Sequence, residues 1–374
     1  MVTFYWRGTN MTTDGNEIIE KSSSDNIKLE EQIKETKNSL STDRLDMSFG
    51  EIMSMYEREE IIINPDFQRL FRWSNYQQTR FIESILLGIP IPPIFVAEDN
   101  EGKWELVDGL QRISTILSFF GMLKYNEHKN NWIMCEGDLI DSLKGYCINN
   151  IPTKFQLNIK RAACRVEIIK WNSKIDMRYE LFNRLNTGGT SLTDQEIRNC
   201  IFRGTSDKFN NYLKKMAGDE DFIELISPTE KQLSELYLQE LVLRFTSLVW
   251  DWQDIHDNIS VHMTKFMKSS IEKDNLDFEK LENLFMRLVF VLKPLGKNIF
   301  RFSRGGFSTS LYDAIMVGIG SFIDKYENKD MYAIEERINQ IKDNARFREN
   351  TGSSASSTTR VRNRLEIALE YFKR

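Results

Sequence analysis

The sequence predicts an α+β protein in which a mixed N-terminal domain is followed by an all-helical domain. Residues 1–41 are polar and include the run KSSSDN, which indicates a flexible extension with one weak helix at residues 29–37. From residue 42 to 205, segments rich in β-branched residues alternate with segments of helical apolar spacing. Beyond residue 205 the apolar residues recur almost only every three to four positions, which is typical of a helical bundle.

Composition excludes several classes of protein. The 374 residues are 41% hydrophobic and 28% charged, as in soluble globular proteins, and the net charge of −5 argues against a polycation that coats nucleic acid. No apolar run is long enough for a transmembrane helix, and the first residues lack the apolar core of a secretion signal. Four scattered cysteines without a CxxC pair favour a cytoplasmic location with reduced thiols. Three histidines without metal-binding spacing argue against a zinc site or an HNH nuclease centre.

Apolar spacing and turn residues predict the elements of the N-terminal domain. FGEIMSMYERE predicts a helix, and EIIINP at residues 60–65 predicts a strand. Residues 77–87 predict a helix that Gly88 ends as a C-cap. The elements predicted next are a hairpin of PIPPIFVAE and KWELVDG, a helix over residues 111–120, a strand over 165–171, a helix in KIDMRYELFNRL, and a helix opening at Thr193, which forms a capping box with Glu196.

The second half contains long amphipathic segments and few strand signals. A bundle is predicted from QLSELYLQELVLRFTSLVW, FEKLENLFMRLVFVLK, TSLYDAIMVGIGSFIDKY and VRNRLEIALEYF. The stretch GSSASSTT predicts a flexible loop before the last helix. The predicted domains are therefore residues 42–205 and 206–374, after an extension over residues 1–41.

The segment DGLQR, residues 108–112, lies between a predicted strand and a predicted helix. Its glycine permits a tight turn, and the first N–H groups of the helix favour an anion such as phosphate. Arg112 can add a bidentate phosphate contact, Asp108 suits Mg²⁺ or a sugar hydroxyl, and Gln111 can orient a water. The alternative is an ordinary strand–helix turn in which Asp108 caps the helix and Arg112 forms a surface ion pair. Spacing alone favours that alternative.

Two further clusters carry candidate ligand-binding residues. The loop PDFQRLFRW contains Gln68, Arg69, Arg72 and Trp73, so that guanidinium groups for phosphates alternate with aromatic faces for a base. The segment with Asn183, Asn186, Thr187, Gly188 and Gly189 is a glycine turn able to close over a ligand. Taken separately, the first is more simply explained by aromatic packing and the second by an ordinary helix end.

The segments PDFQRLFRW, LLGIPIPPIFV, VDGLQRISTI and LFNRLNTGGTSLTDQEI, in this order, resemble the N-terminal domain family of the GmrSD modification-dependent restriction enzymes. The resemblance covers approximately residues 46–202. It implies a fold of the ParB/sulfiredoxin type, followed here by the helical domain. The family usually has DGQQR, so Leu110 is a departure, while Asp108, Gly109, Gln111 and Arg112 match.

The resemblance implies a nucleotide site. Asp108, Gln111 and Arg112 would help hydrolyse a nucleoside triphosphate with Mg²⁺, which Asp108 would hold. The nucleotide would be bound by Gln68, Arg69, Arg72, Trp73, Gly109, Asn183, Asn186, Thr187 and Gly188. Nucleotide state would control engagement with DNA or with a partner, such as a separate nuclease or a second copy of the chain. Family members often carry an HNH nuclease domain behind this one, and no H-N-H context is visible in the sequence.

A basic region near the C-terminus is a weaker candidate for DNA contact. Residues 342–374 contain eight cationic and four anionic side chains in an otherwise acidic protein. The candidate DNA-binding residues are Arg301, Arg304, Arg360, Arg362 and Arg364. A solvated basic helix end explains the pattern equally well.

The sequence leaves three functions open. The first is a nucleotide-binding and hydrolysing component of a phage-defence or restriction system. The second is a DNA-binding adaptor that uses the same arginines on the phosphate backbone and catalyses nothing. The third is a metal-dependent DNA nuclease that acts by itself.

Overall fold

Helices make up most of the chain, and a mixed sheet lies in its N-terminal half, which confirms the predicted α+β class. The computed structural model describes residues 23–38, 41–63, 71–99, 101–170, 180–181, 184, 193–202, 206–302, 305–352 and 355–373. Most of the predicted extension, and most of the helix predicted in KIDMRYELFNRL, lie outside these residues.

The sheet has five strands in the order β1-β5-β3-β4-β2. β3 and β4 form the predicted antiparallel hairpin, β3 and β5 are parallel, β2 is parallel to β4, and β1 is antiparallel to β5. The strands are β1 (Thr42–Ser48), β2 (Ile61–Ile62), β3 (Ile94–Glu98), β4 (Trp104–Asp108) and β5 (Ala163–Ile169). The predictions for β2 to β5 are confirmed, although β2 is shorter than expected.

Strand β1 was not predicted from the sequence. It pairs with β5 alone at the edge of the sheet, and most of its side chains are exposed. Its sequence, TDRLDMS, therefore lacks the alternation of apolar and polar residues that half-buried strands show. The hydrogen-bonded register with β5, not apolar patterning, makes this segment a strand.

In the described part of the chain, five α-helices come before β5: α1 (Ser23–Asn38), α2 (Phe49–Glu57), α3 (Asn75–Leu86), α4 (Leu110–Phe119) and α5 (Thr153–Arg161). α2, α3 and α4 confirm the predictions, and α1 extends the predicted weak helix. α5 was not predicted: it is only nine residues long, and Ile159 is its one buried residue.

Each face of the sheet belongs to a different apolar core. Cys164, Val166 and Ile168 of β5 pack with α2, α3 and α4 on one face. On the other face, Val107 and Ile169 belong to the same apolar cluster as the helices of the second half. The alternation follows from the two-residue period of a strand. The sheet is therefore covered on both sides.

The second half is helical, as predicted. Its helices are α6 (Asp194–Phe202), α7 (Asp207–Ala217), α8 (Glu220–Ile226), α9 (Glu230–Ser234), α10 (Tyr237–Asp251), α11 (Ile259–Lys273), α12 (Phe278–Leu292), α13 (Thr309–Gly320), α14 (Ile323–Tyr326), α15 (Met331–Asp343), α16 (Ala345–Glu349) and α17 (Thr358–Lys373). Within the described ranges, no helix has both the length and the apolar character needed to cross a bilayer. The division of the chain at residue 205 stays a prediction.

Helix α6 connects the two halves through a buried arginine. Arg198 is completely buried, and its guanidinium donates to Ser260 Oγ at 2.6 Å and to Thr264 Oγ1 at 3.1 Å, both on α11. Ile197 and Ile201 of α6 lie in the apolar cluster that includes the later helices. α6 therefore packs as part of the helical half, although it precedes residue 205.

A buried ionic network lies at the centre of the helical half. Asp313 on α13 accepts from Arg244 on α10 at 2.5 and 2.7 Å and from Arg364 on α17 at 3.2 Å. The three residues are 0–5% exposed. Because one carboxylate serves two guanidinium groups without contact with water, this network fixes three helices relative to one another.

Candidate functional site

The DGLQR segment forms the tight strand–helix turn that the sequence predicts. β4 ends at Asp108 and α4 begins at Leu110, with Gly109 between them at φ 99°. A Cβ atom on Gly109 would lie 2.5 Å from Cγ2 of Ile94. Only glycine therefore fits, both for its backbone conformation and for the space beside it.

Arg112 fixes this turn from the inside. Its Nη2 donates to Asp108 Oδ2 at 2.6 Å, and its Nη1 donates to the carbonyl oxygens of Pro92 at 2.5 Å and Pro93 at 2.9 Å. The Arg112 side chain is 13% exposed, whereas that of Asp108 is 46% exposed. Arg112 thus holds the Asp108 carboxylate at the surface and ties the turn to the start of β3. Oxygen atoms of described residues accept from three of its five N–H groups in this way.

Gln111 brings the arginine–aromatic loop to the DGLQR turn. Its Oε1 accepts from the backbone N–H groups of Arg72 at 2.9 Å and Trp73 at 3.0 Å. Lys129 holds the same loop end, since its Nζ donates to the carbonyl oxygen of Phe71. The predicted proximity of these two segments is therefore present for residues 71–73. The side-chain amide oxygen of Gln111 therefore holds the end of the loop, and in this way Gln111 positions Arg72 beside the turn.

Replacing Gln111 should show this positioning role. Gln111→Leu removes the shared acceptor and leaves two backbone donors unpaired, at a cost of about 1–2 kcal/mol in the free energy of unfolding. Gln111→Glu keeps an acceptor of the same size and should retain most of the stability. Urea unfolding followed by circular dichroism measures both variants. Equal stability of Gln111→Leu and the wild type would contradict the proposed contact.

Arg72 is the exposed cation of this site. Its side chain is 37% exposed, Nη2 donates to Ser234 Oγ at 2.9 Å, and Nη1 lies 3.7 Å from Glu235 Oε1. Ser234 is the last residue of the short helix α9 in the second half, and Glu235 is the residue after it. Trp73 instead packs edge-on against Phe81, with ring centroids 5.6 Å apart, as the aromatic-packing alternative predicted.

Two carboxylates at this site were not recognised as site residues in the sequence. The Thr193–Glu196 capping box is confirmed, with Thr193 N–H 2.7 Å from Glu196 Oε2. Glu196 is 2% exposed, and burial raises its pKa to about 6, while the Thr193 N–H and the Arg72 charge act in the opposite direction. Glu235 lies close enough to raise this pKa further. The capping pattern was visible in the sequence, but its proximity to Arg72 was not.

The other predicted nucleotide-binding residues are not described by the structure. Gln68, Arg69, Asn183, Asn186, Thr187 and Gly188 all lie outside the described residues. Their approach to the DGLQR turn stays a prediction. Asp108 likewise stays the predicted Mg²⁺ ligand; among the described residues, no three His, Cys, Asp or Glu side chains form a group that could hold a metal ion.

The proposed DNA-binding arginines of the second half are mostly engaged within the protein. Arg364 is completely buried against Asp313, so its assignment to DNA contact was wrong. Arg301 donates to the carbonyl oxygen of Ile226 and Arg362 to that of Gln253, each at 2.7 Å. Arg360 is half-buried, and Arg304 lies outside the described residues. The charge excess near the C-terminus therefore serves internal packing to a large extent.

Comparison with family models identifies the region that contains the DGLQR turn. Residues 49–203 match the model described as GmrSD restriction endonuclease, N-terminal domain. These residues form a GmrSD-type domain. The match begins at α2, includes β2 to β5 and ends just after α6, which confirms the resemblance seen in the sequence. Comparisons with curated proteins and with solved structures gave no significant match.

The assignment associates the chain with restriction systems, which act in defence against phage. Within the GmrSD-type domain, the described site consists of the Asp108 carboxylate, the N-terminus of α4 and the Arg72 guanidinium. Arg112 and Gln111 lie behind these groups and fix their positions. The helical half contributes Ser234 and Glu235 from outside the matched residues.

Proposed function

We propose that the chain binds a nucleoside triphosphate with Mg²⁺ at the DGLQR turn and hydrolyses it slowly, as the nucleotide-dependent component of a DNA-directed restriction system in the cytoplasm. The observation that carries this proposal is the pair of hydrogen bonds from the Arg72 and Trp73 amides to Gln111. These hydrogen bonds place Arg72, whose guanidinium can bind phosphate, beside the Gly109 turn at the N-terminus of α4. The GmrSD-type domain supplies the biological setting.

The chemistry requires a site that neutralises charge on a transferring phosphoryl group. Arg72 is exposed enough to contact phosphate oxygens, and the N-terminus of α4 adds N–H groups and the positive end of a helix dipole. Asp108 would bind Mg²⁺ or a ribose hydroxyl, and the ion pair with Arg112 holds the Asp108 carboxylate in position. The remaining N–H groups of Arg112 would reach the phosphates, and Gln68, Arg69, Asn183, Asn186, Thr187 and Gly188 would complete the nucleotide site.

Nucleotide state would then control engagement with DNA or with a partner that carries the nuclease. The second candidate, an adaptor that binds DNA without catalysis, needs exposed cations along a surface. Arg364 is buried, and Arg301 and Arg362 donate to backbone carbonyl groups. These contacts weaken the basic region near the C-terminus as a DNA surface, whereas the adaptor as predicted would use the site arginines, of which Arg72 is exposed.

A thermal-shift screen with the Mg²⁺ complexes of ATP, GTP, CTP and UTP tests the proposal. At least one nucleotide at a hundred times its dissociation constant should raise the melting temperature by about 3 °C, because a ligand that binds the folded state stabilises it. Asp108→Asn should abolish most of this shift. Asp43→Asn, the same change on the exposed edge strand β1, is the matched control.

Release of inorganic phosphate, measured with and without DNA, distinguishes the candidates. We expect slow release that Asp108→Asn eliminates and Asp43→Asn leaves unchanged. If no nucleotide shifts the melting temperature while DNA binds equally well in all conditions, the adaptor function replaces the proposal. DNA cleavage that survives Arg112→Ala but is lost with EDTA would instead support the nuclease.

A further inference from the structure

The two described arginines beside the DGLQR turn are held very differently. Arg112 donates to three oxygen atoms at 2.5–2.9 Å and is 13% exposed. With the described residues, the Arg72 side chain forms one hydrogen bond, to the neutral hydroxyl of Ser234, and its distance of 3.7 Å to Glu235 exceeds hydrogen-bond length. A side chain with such contacts can be moved at little cost. Arg72, unlike Arg112, is therefore free to change partners.

The partners of Arg72 form an anionic junction between the two halves. Glu235 directly follows α9, Nζ of Lys231 lies 3.7 Å from its Oε1, and its backbone carbonyl oxygen accepts from Thr193 Oγ1. Glu196 is nearly buried, and its Oε1 has no hydrogen-bond partner among the described residues. Both carboxylates interact electrostatically across this junction, and Arg72 is the cation that offsets them from the side of the GmrSD-type domain.

We propose that Arg72 is shared between a bound triphosphate and the helical half, so that occupancy of the site releases the contact with Ser234 and Glu235. This inference rests on the proposed nucleotide-binding function. When the guanidinium turns to the phosphates, Glu196 and Glu235 lose the cation between them, and the exposed Lys231 is the cation of the described residues that stays near Glu235. The attachment of α9 to the loop at residues 71–73 then weakens.

The coupling works in both directions. Glu235 competes with the ligand for Arg72, so any change that removes this competition must strengthen ligand binding. By the same linkage, ligand binding must loosen α9 by the corresponding free energy. Through Ser234 and Glu235, which lie outside the matched family region, the helical half thereby senses the occupancy of the site.

The affinity for Mg²⁺-bound inorganic triphosphate, measured by isothermal titration calorimetry, tests this proposal. Glu235→Gln should tighten binding about three- to tenfold, which is the range of a typical coupling free energy of about 1 kcal/mol. Glu230→Gln, on the same short helix, removes an equal charge and is the matched control for general electrostatics. In an Arg72→Ala background the gain from Glu235→Gln should disappear.

Hydrogen exchange of the peptide over residues 229–235 provides the second measurement. Triphosphate should speed exchange there in the wild type and should have no effect in Arg72→Ala. Absence of triphosphate binding to the wild type would overturn the proposed function and this inference with it. Binding that is equally strong in Glu235→Gln and Glu230→Gln, with unchanged exchange, would overturn the inference alone.

Discussion

Replacing Asp313 with alanine should cost about 3–5 kcal/mol in the free energy of unfolding, because it leaves two buried arginines without their anion. Arg244 is 5% exposed and Arg364 is completely buried, so neither guanidinium can recover its hydration in the folded protein. Since Asp313 connects α10, α13 and α17, the helical half should lose cooperativity as well as stability. Chemical denaturation followed by tryptophan fluorescence measures both effects.

A surface ion pair provides the control for this prediction. Nε of Arg287 lies 2.5 Å from Oε1 of Glu327, close to the Arg244–Asp313 distance, but the side chains of Arg287 and Glu327 are 31% and 32% exposed. Glu327→Ala should therefore cost less than about 1 kcal/mol, since water replaces much of the interaction. Similar losses for Asp313→Ala and Glu327→Ala would show that burial is not what makes the network important.

Gly109→Ala should disrupt the candidate site and cost about 3 kcal/mol. The left-handed backbone at φ 99° is strained for alanine, and the new Cβ would overlap Ile94, which cannot withdraw from a packed core. Nucleotide binding should fall with stability, because the turn positions Asp108 and the start of α4. Urea unfolding and the thermal-shift screen measure the two losses.

Gly102→Ala separates strain from overlap. Gly102 lies in the turn between β3 and β4 at φ 81°, and a Cβ there would have nothing within 4 Å. Gly102→Ala should therefore lower the free energy of unfolding only by the backbone strain, about 1 kcal/mol, and should leave nucleotide binding unchanged. If the two alanine variants lose equal stability, the contact with Ile94 contributes nothing.

The sequence predicted those parts of the fold in which local patterns and burial agree. The β3–β4 hairpin and the turn into α4 carry β-branched residues, a glycine and apolar helical spacing, and each formed as expected. β1 and α5 escaped prediction because they bury few side chains and are held by their neighbours. An exposed edge strand such as β1 lacks the alternation by which strands are recognised, and a helix as short as α5 presents too few apolar positions to be recognised by spacing.

The family resemblance, and not the spacing, placed DGLQR and the arginine–aromatic loop in one hypothetical site, and the structure brings residues 71–73 to that turn. The sequence could not show that Gln111 and Arg112 would bond to backbone groups of other segments. Arg364 was misassigned although a signal existed. It lies on the same helical face as Val361 and Ala368, both buried, and a charged residue on an apolar face indicates an internal partner.

The buried Arg198 has a practical consequence for work on the GmrSD-type domain by itself. A protein truncated at residue 203 would keep α6 and the Gln195 acceptor of this arginine, but it would lose Ser260 and Thr264, together with the apolar helices that cover Ile197 and Ile201. Such a fragment would expose an apolar surface to water, and the Arg198 guanidinium in that surface would lack its acceptors on α11. The boundary of the family match therefore does not coincide with a boundary in the packing, because α6 is held by α11 beyond it.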